Sequence, residues 1–354
     1  MSEIPTDESI DATWLTAALR SNGFSAEVKD FTRRQIGTGQ IGKCIRYDME
    51  IEGDPNAPRS LIGKFPSDDP LSQATGVALR NFLKEVSFYQ QLQSSLSIRT
   101  PRCYFAQIKN EGPEFMLLLE DLSPAEQGNQ LAGCSESVAR AALAEIVGLH
   151  APSWNDSRLL ELDWLGRATP ETSDMVTTLY NTQLPGFLEK FGDKLDADQR
   201  AIISAYGQSK ALQQRSQSQP FSLVHIDFRL DNLLIDESGS APVVTTVDWQ
   251  SITLGNPMTD VAYFIGAGLL EDTRRPVEEK LVREYHQALL GAGIADYDWE
   301  DCWEDYRRAT FAGFSVTVVA SMLVQQTQRG DEMFTAMAQR HSRHALDLGA
   351  DQLL

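Results

Sequence analysis

The 354-residue sequence predicts an α+β fold in which a β-rich first part precedes a larger, mainly helical second part. From Ile45 to Ile51, apolar residues occupy every second position, the period typical of a half-buried strand. Beyond about residue 123, apolar residues instead recur at helical spacing over several long segments. Within that second part, residues 223–236 form two short apolar runs around a polar loop. These runs indicate two buried strands that hold a tight loop between them.

The first part, residues 1–122, reads as an N-terminal helix followed by strands and one further helix. Glycines between two strand patterns predict a glycine-rich hairpin at residues 36–42, because the residues that follow alternate with period two. The other predicted elements are a helix at 11–20, a strand at 60–65, a helix at 80–92 and a strand at 115–121.

The second part, residues 123–354, carries the helices and the polar loop. Helical periodicity predicts helices at 137–149, 173–190, 197–213, 277–291, 299–328 and 331–348. A third apolar run at 243–247 leads into Asp248. A further helix begins near Asp260, after a turn at residues 255–258.

Composition limits the classes of partner and compartment. A net charge of −19 argues against a nucleic-acid surface, which would need a basic patch, and an acidic surface or a cationic substrate would each explain it. The four cysteines are far apart and lack metal-ligand spacing, so we expect reduced thiols in a cytoplasmic protein. The sequence has neither a secretory signal pattern nor an apolar run long enough to span a bilayer, so we expect no membrane partner.

Gly37, Gly39 and Gly42 form the pattern G-x-G-x-x-G. A dinucleotide-binding fold needs this pattern between a strand and a helix, whereas here strand alternation follows it. A glycine-rich hairpin can instead lay its backbone amides over the phosphates of ATP. A plain glycine-containing turn is the alternative.

Lys64 lies in the predicted strand at 60–65, and Glu85 lies on the helix that follows. A buried lysine beside a nucleotide would bind the α- and β-phosphates and would need a carboxylate to hold it in place. Either residue alone would be an ordinary surface charge. Together, in this order, they predict a phosphate-binding pair.

The polar loop carries His225, Asp227 and Asn232 with the spacing H-x-D-x-x-x-x-N. Asp227 is the candidate base for a substrate hydroxyl, while Asn232 and Asp248 offer the oxygen ligands that Mg²⁺ prefers. His225 is expected to fix the loop by hydrogen bonding, with a metal-ligand role as the alternative.

Asp260 has two possible roles, both in support of the loop. It could stabilise the N-terminus of its own helix, or its carboxylate could accept amides of the catalytic loop and set the geometry of that loop.

Four stretches resemble the aminoglycoside phosphotransferase and choline-kinase-like superfamily, nearest its bacterial ecdysteroid-kinase-like branch. They are KEVSFY (84–89), LVHIDFRLDNLL (223–234), VDWQ (247–250) and TDVAYF (259–264). The resemblance implies a bilobal protein-kinase-like fold with ATP between the lobes and Mg²⁺ at Asn232 and Asp248. It also implies a hinge at 119–122, where the backbone of Glu120 and Leu122 would meet adenine. One departure is Ile226, where such kinases usually carry glycine.

These observations predict an ATP-dependent O-phosphotransferase that acts on a hydroxyl of a small organic molecule, with ATP and Mg²⁺ as cofactors. One alternative, suggested by Ile226, is a nucleotide-binding module without transfer activity. A less favoured one is a protein kinase, because the short segment between Asp248 and Asp260 has no A-P-E-like sequence and little room for a peptide-docking activation loop.

Overall fold

The computed structural model describes residues 4–37, 41–209, 220–324 and 326–354, and the chain divides into two compact units. Unit 1 comprises Met1–Ser95, Thr100–Pro124 and Val247–Ser251, and unit 2 comprises Leu96–Arg99, Ala125–Thr246 and Ile252–Leu354. Each unit therefore contains a short segment from the other half of the sequence. The sequence predicts a single division between residues 122 and 123, and it does not predict that these two short segments belong to the other unit.

Unit 1 contains a five-stranded antiparallel sheet with the strand order β1-β2-β3-β5-β4. Its strands are β1 (Ala26–Ile36), β2 (Gly42–Gly53), β3 (Ser60–Pro66), β4 (Cys103–Ile108) and β5 (Phe115–Glu120). Strands β1 and β2 pair antiparallel with Ile36 opposite Cys44, which confirms the predicted hairpin. Strand β4 was not predicted. All six of its residues are partly buried, so burial does not alternate along this strand as it does in a half-buried strand.

Three helices accompany this sheet: α1 (Ala12–Ser21), α2 (Pro70–Ala78) and α3 (Asn81–Ser87). Helix α1 begins where the Asp11 carboxylate accepts a hydrogen bond from the Trp14 amide at 2.7 Å, which satisfies one of the free N–H groups of its first turn. Its apolar face packs into the core of unit 1. Helix α3 passes into a π turn at Phe88–Leu92, so the predicted helix at 80–92 exists but changes geometry.

The segment Val247–Ser251 is fixed to unit 1 by packing and by hydrogen bonds. The Trp249 ring stacks on Phe88 with centroids 3.9 Å apart, and its indole N–H donates to the Thr100 hydroxyl at 2.9 Å. The Asn81 side-chain amide donates to the Gln250 carbonyl at 2.9 Å. These contacts, made by the two residues that follow Asp248, hold this segment against α3 and the π turn after it.

Unit 2 is mainly helical, with two small sheets of order β6-β8-β9 and β10-β7. Its strands are β6 (Glu126–Gln127), β7 (Ser222–Val224), β8 (Leu233–Asp236), β9 (Val243–Thr246) and β10 (Thr253–Gly255). Its helices are α4 (Glu136–His150), α5 (Pro170–Phe191), α6 (Ala197–Gln208), α7 (Met258–Gly268), α8 (Glu271–Gly291), α9 (Trp299–Ala309), α10 (Ala312–Ser315), α11 (Ser321–Leu323) and α12 (Gln328–Asp347). The two strands predicted around the polar loop are β7 and β8, and they belong to different sheets.

The prediction of one continuous helix over 299–328 is wrong. Helix α9 ends at Ala309, where the Thr310 hydroxyl donates to the Arg307 carbonyl at 2.7 Å. Helix α10 then runs into a π turn at Val316–Ala320 before α11. Glycine and a run of β-branched residues have low helix propensity, which explains why regular geometry is lost here. No helix in the described ranges is both long and apolar enough to cross a bilayer.

Candidate active site

The Lys64 side chain forms the centre of the first cluster of predicted residues, which lies in unit 1. Its ammonium group is 2.7 Å from a carboxylate oxygen of Glu85 and 2.7 Å from one of Asp248. Glu85 is 2% exposed, and the Lys64 side chain is 12% exposed. The predicted pairing of Lys64 with Glu85 is therefore present, and Asp248 joins the same ammonium group.

The architecture of unit 1 explains why these three side chains meet. Lys64 lies in the middle of β3, opposite Cys44 of β2 and Leu117 of β5, so strands on both sides fix its backbone. Glu85 projects from α3, which also contacts the turn that follows Asp248.

The electrostatics of the cluster favour a charged lysine. Burial by itself lowers the pKa of Lys64, but the carboxylates of Asp248 and Glu85 more than offset this effect and hold that pKa well above its usual value. Burial raises the pKa of Glu85, and the Lys64 ammonium opposes that shift. The result is a buried cation with two carboxylate partners.

Asp248 has a left-handed backbone, with a φ of 67°. Aspartate is among the few non-glycine residues that adopt this region readily. Its second carboxylate oxygen accepts a hydrogen bond from the Gln250 side-chain amide at 3.2 Å. The side chain is 26% exposed, so a ligand can reach it.

Of the predicted glycines, Gly37 directly follows β1 and Gly42 begins β2. Gly37 has a φ of 71°, which favours glycine, and Gly39 lies outside the described residues. Gly42 begins β2 directly over the Lys64 side chain, where an added Cβ would lie 3.4 Å from the lysine Cε and 3.1 Å from the Phe65 carbonyl oxygen. The second strand of the hairpin therefore begins beside the buried lysine.

The predicted hinge follows the end of β5. Glu120 pairs with Leu61 of β3, its amide donates to the Arg102 carbonyl at 2.9 Å, and its carboxylate accepts the Arg102 amide at 3.1 Å. Leu122 lies two residues beyond the strand and is partly buried. A role for their backbone in contacting adenine stays a prediction.

The Asp227 carboxylate forms the centre of the second cluster, which lies in unit 2. Its Oδ1 accepts hydrogen bonds from Arg229 Nε at 2.9 Å and from the Tyr263 hydroxyl at 3.2 Å. Its Oδ2 accepts one from the side-chain amide of Asn232 at 2.8 Å. Three donors therefore hold the candidate base in one orientation.

Asn232 lies in a 3₁₀ turn at Leu230–Asn232, just before β8. Its amide nitrogen also donates to the Asp227 main-chain carbonyl at 2.8 Å. Both hydrogen bonds turn the side-chain nitrogen towards Asp227. The amide oxygen is therefore the atom that Asn232 can offer to a cation.

Asp260 holds the chain immediately before Asp227. Its carboxylate, which is fully buried, accepts the amides of His225 at 2.7 Å and Ile226 at 2.8 Å. Two roles were considered for Asp260. The geometry supports the second one, in which its carboxylate accepts amides of the loop. Ile226 takes a left-handed backbone with a φ of 72°, a conformation that a β-branched residue rarely adopts.

His150, the last residue of α4, contacts the Asp260 carboxylate. It is fully buried, with Nδ1 2.7 Å from the Tyr285 hydroxyl and Nε2 3.3 Å from the Asp260 carboxylate. It therefore braces the carboxylate that holds the loop. The spacing along the chain contains no signal for this contact, since 110 residues separate the two side chains.

Three further residues at the loop were not predicted. Arg229 bridges Asp227 and Asp231, and these carboxylates raise its pKa even though burial lowers it. Gln130, which is 1% exposed, accepts the Leu230 amide at 3.0 Å and donates to the Ala267 carbonyl at 2.7 Å. Tyr263 could have been found from its position three residues after Asp260, because such residues share a helix face.

His225 is fully buried, and its imidazole ring lies 6.2 Å from the Phe228 ring, measured between centroids. Across the described ranges, no group of three or more histidine, cysteine, aspartate or glutamate side chains could hold a metal ion. Mg²⁺ needs no such cage, since it is commonly bound by one or two carboxylates together with substrate phosphates and water. The assignment of Asn232 and Asp248 as its ligands stays a prediction.

Solved structures with a similar fold are kinases and phosphotransferases of small molecules. A choline kinase from Cryptosporidium parvum Iowa II has a TM-score of 0.56 at 10% identity, over 99% of this chain and 93% of that chain. A putative aminoglycoside phosphotransferase from Ralstonia eutropha JMP134 has a TM-score of 0.54 at 16% identity, over 95% and 98% of the two chains. The GDP complex of a wild-type aminoglycoside 2′-phosphotransferase-IIIa has a TM-score of 0.53 at 13% identity, over 94% and 99%. The similarity confirms the bilobal protein-kinase-like fold class.

The chain is also similar to known proteins in sequence. The chain is 52% identical over 42 residues to acyl-CoA dehydrogenase family member 10 of Mus musculus, a stretch that is 12% of this chain and 4% of that protein. It thus spans only a small fraction of that curated relative. The model of the Ecdysteroid kinase-like family matches residues 41–292, which is well over half of the chain and includes both clusters. The chain therefore belongs to the Ecdysteroid kinase-like family.

Proposed function

We propose that this protein is an ATP-dependent O-phosphotransferase that acts on a hydroxyl group of a small organic molecule. The observation that carries the proposal is the Lys64 ammonium, buried in unit 1 and bonded at 2.7 Å to both Glu85 and Asp248. A lysine fixed by one buried carboxylate, with a second and more exposed carboxylate beside it, is the arrangement that phosphoryl transfer uses to hold a nucleotide.

In this proposal, Lys64 binds the α- and β-phosphates of ATP and Glu85 keeps the lysine in place. The backbone amides of Gly37, Gly39 and Gly42 contribute to binding the same phosphates, and Gly42 lies next to Lys64. The backbone of Glu120 and Leu122 binds the adenine ring. Phosphoryl transfer relies mainly on positioning and charge neutralisation, which a preorganised cation and fixed amides provide.

Asp227 receives the proton of the acceptor hydroxyl. A carboxylate oxygen can accept two hydrogen bonds, so Arg229 and Tyr263 fill Oδ1, while among the described residues only Asn232 donates to Oδ2. The hydroxyl would donate to Oδ2 as its oxygen attacks the γ-phosphorus. The bond to the β-phosphate oxygen then breaks, and ADP leaves.

Mg²⁺ fits the donor set that this mechanism needs. The Asn232 amide oxygen and the Asp248 carboxylate are hard oxygen ligands, and the Asn232 nitrogen is already turned towards Asp227. When bound, the ion would neutralise charge on the transferring phosphates. His225 and Asp260 would keep Asp227 in place through the loop backbone.

The comparisons support the proposed class. Similar folds include a choline kinase and aminoglycoside phosphotransferases, one of them in complex with GDP and kanamycin. Choline and kanamycin are small molecules with hydroxyl groups, so a small alcohol is the expected acceptor.

The test compares Asp227→Asn and Asp248→Ala with the unmodified chain and with Asp301→Asn, an exposed carboxylate of α9. ADP formation from ATP and Mg²⁺ is measured against choline-like, aminoglycoside-like, steroid-like and sugar-like alcohols. We expect the two site variants to lose at least about 100-fold in turnover while their melting temperatures show that they remain folded, and Asp301→Asn to keep full activity.

Near-normal turnover in both site variants would refute the assignment. Melting temperatures that rise with ATP and Mg²⁺, without transfer to any alcohol, would favour a nucleotide-binding module. Transfer to protein substrates would instead favour a protein kinase.

A further inference from the structure

The Tyr263 hydroxyl is one of the two donors to Oδ1 of the candidate base. Tyr263 lies on α7, is 1% exposed, and donates to Asp227 Oδ1 at 3.2 Å. Burial, and then the charge of Asp227, raise the pKa of Tyr263 well above its usual value. The phenol therefore stays protonated and remains a donor at any physiological pH.

The Tyr263 ring stacks on His341, which belongs to the C-terminal helix α12. The ring centroids are 5.2 Å apart and the planes meet at 27°. His341 is fully buried, and neither of its ring nitrogens has a hydrogen-bond partner in the part of the chain that the structure describes. Burial, together with His344 and Arg340, lowers the pKa of His341 to about 3, so the imidazole is neutral.

Two glycines make room for the imidazole ring. A Cβ on Gly313 of α10 would overlap the ring, and a Cβ on Gly266 of α7 would lie 2.9 Å from its Nδ1. Tyr263 packs with Ala312 and Met337, which line the same space. The imidazole, which projects from α12, therefore fits closely against α7 and α10. Tyr263 of α7 contacts the flat face of the ring.

We propose that Tyr263 is a positioning residue for Asp227, and that the ring of His341 holds Tyr263 in the orientation from which it donates. This inference rests on the proposed function of Asp227. Within it, the Tyr263 hydroxyl and Arg229 fill Oδ1, which leaves Oδ2 as the atom that meets the acceptor hydroxyl. The buried imidazole acts through its shape, since its nitrogens have no partner in the described residues.

The C-terminal helix that carries His341 lies outside the match to the family model, which ends at residue 292. Asp227 and Tyr263 lie inside the match, whereas His341 and Gly313 follow it. Helix α12 also ties down the surroundings of the loop through Arg340, which donates to the carbonyls of Gln130, Leu131 and Ala267.

The experiment measures kcat and the ATP KM of the full chain with Mg²⁺, ATP and the alcohol that turns over fastest in the panel described above. The variants are Tyr263→Phe, His341→Ala, His341→Phe and the double variant Tyr263→Phe with His341→Ala. Tyr180→Phe is the control, because that buried hydroxyl donates to the Ile203 carbonyl at 2.9 Å, outside the Asp227 cluster. Melting temperatures are recorded for every protein.

We expect Tyr263→Phe to lower kcat about tenfold with an unchanged ATP KM, the factor that one lost hydrogen bond to a charged group would produce. His341→Ala should lower kcat about fivefold, and His341→Phe should restore most of it by replacing the ring. The double variant should be no slower than Tyr263→Phe alone, since His341 acts through the hydroxyl that this variant lacks. Tyr180→Phe should lower only the melting temperature.

Three results would overturn the proposal: an unchanged kcat in Tyr263→Phe, effects that multiply in the double variant, or no recovery in His341→Phe. Asp227→Asn, measured alongside, separates this proposal from the proposed function. If Asp227→Asn retains turnover, the proposed function fails. If it abolishes turnover while Tyr263→Phe has no effect, only the positioning role fails.

Discussion

The left-handed backbone of Ile226 should reverse the usual order of stability between alanine and glycine. With a φ of 72°, residue 226 lies in a region that costs an L-residue about 1–2 kcal/mol and costs glycine nothing comparable. Both Ile226→Ala and Ile226→Gly remove the partly buried isoleucine side chain, so the difference between the two variants isolates the backbone.

The magnitude follows from two opposing effects. Relief of strain favours glycine by about 1–2 kcal/mol, and the greater freedom of glycine in the unfolded chain disfavours it by roughly 0.5–1 kcal/mol. We therefore expect Ile226→Gly to be more stable than Ile226→Ala by about 0.5–1 kcal/mol. At Ala201, an exposed interior position of α6, Ala201→Gly should instead destabilise by about 1 kcal/mol.

The assay is urea unfolding of the unmodified protein and of the variants Ile226→Ala, Ile226→Gly and Ala201→Gly. Unfolding is monitored by tryptophan fluorescence and by circular dichroism. The midpoints are compared at equal slope, because a changed slope would signal a change in the unfolded state. A lower midpoint for Ile226→Gly than for Ile226→Ala would refute the reasoning, since it would mean that residue 226 carries no left-handed strain.

Two further predictions concern the carboxylates behind the sites. Glu85→Gln should destabilise unit 1 by about 2 kcal/mol, roughly half the cost of breaking a buried pair, because Asp248 still accompanies Lys64. Differential scanning calorimetry would measure it. Asp260→Asn should cost about 2–3 kcal/mol, since one of the two loop amides then faces an NH₂ group in place of an acceptor. Hydrogen exchange of the His225 and Ile226 amides would show the loss locally.

Each of these substitutions has a matched control in the same chain. Glu279 forms an exposed ion pair with Arg283, so Glu279→Gln should cost less than about 0.5 kcal/mol. Asp298 caps α9 through the Asp301 amide at 2.8 Å, and asparagine caps a helix as well as aspartate does, so Asp298→Asn should be nearly neutral. A site variant that behaves like its control would contradict the buried geometry described for it.

Much of the fold could be predicted because its signals are local. The hairpin followed from period-two alternation beside glycines, and α1 followed from apolar spacing after Asp11. The pairing of Lys64 with Glu85 followed from their order, strand and then helix, together with the chemistry that a buried lysine requires. Where residue type and period agree, the sequence is sufficient.

The contacts that were missed depend on long-range packing. His150 reaches Asp260 across 110 residues, and Gln130 reaches the Leu230 amide across 100 residues. Neither position has a local pattern, since a histidine at the end of α4 and a glutamine between short elements are ordinary in themselves. The interruption of the predicted helix at 299–328, by contrast, has a local signal in Gly313 and in the β-branched residues 316–319.

The strain at Ile226 and the burial of Asp260 explain each other. Two hydrogen bonds from amides to a charged acceptor are worth about 1.5–3 kcal/mol each, against about 1–2 kcal/mol for the left-handed backbone. The Asp260 carboxylate can therefore impose that conformation on a residue that would not adopt it alone. Asp248 has a similar φ of 67° but needs no such anchor, because aspartate tolerates the region. The isoleucine at position 226 is thus compatible with an intact loop, and it increases the dependence of that loop on Asp260.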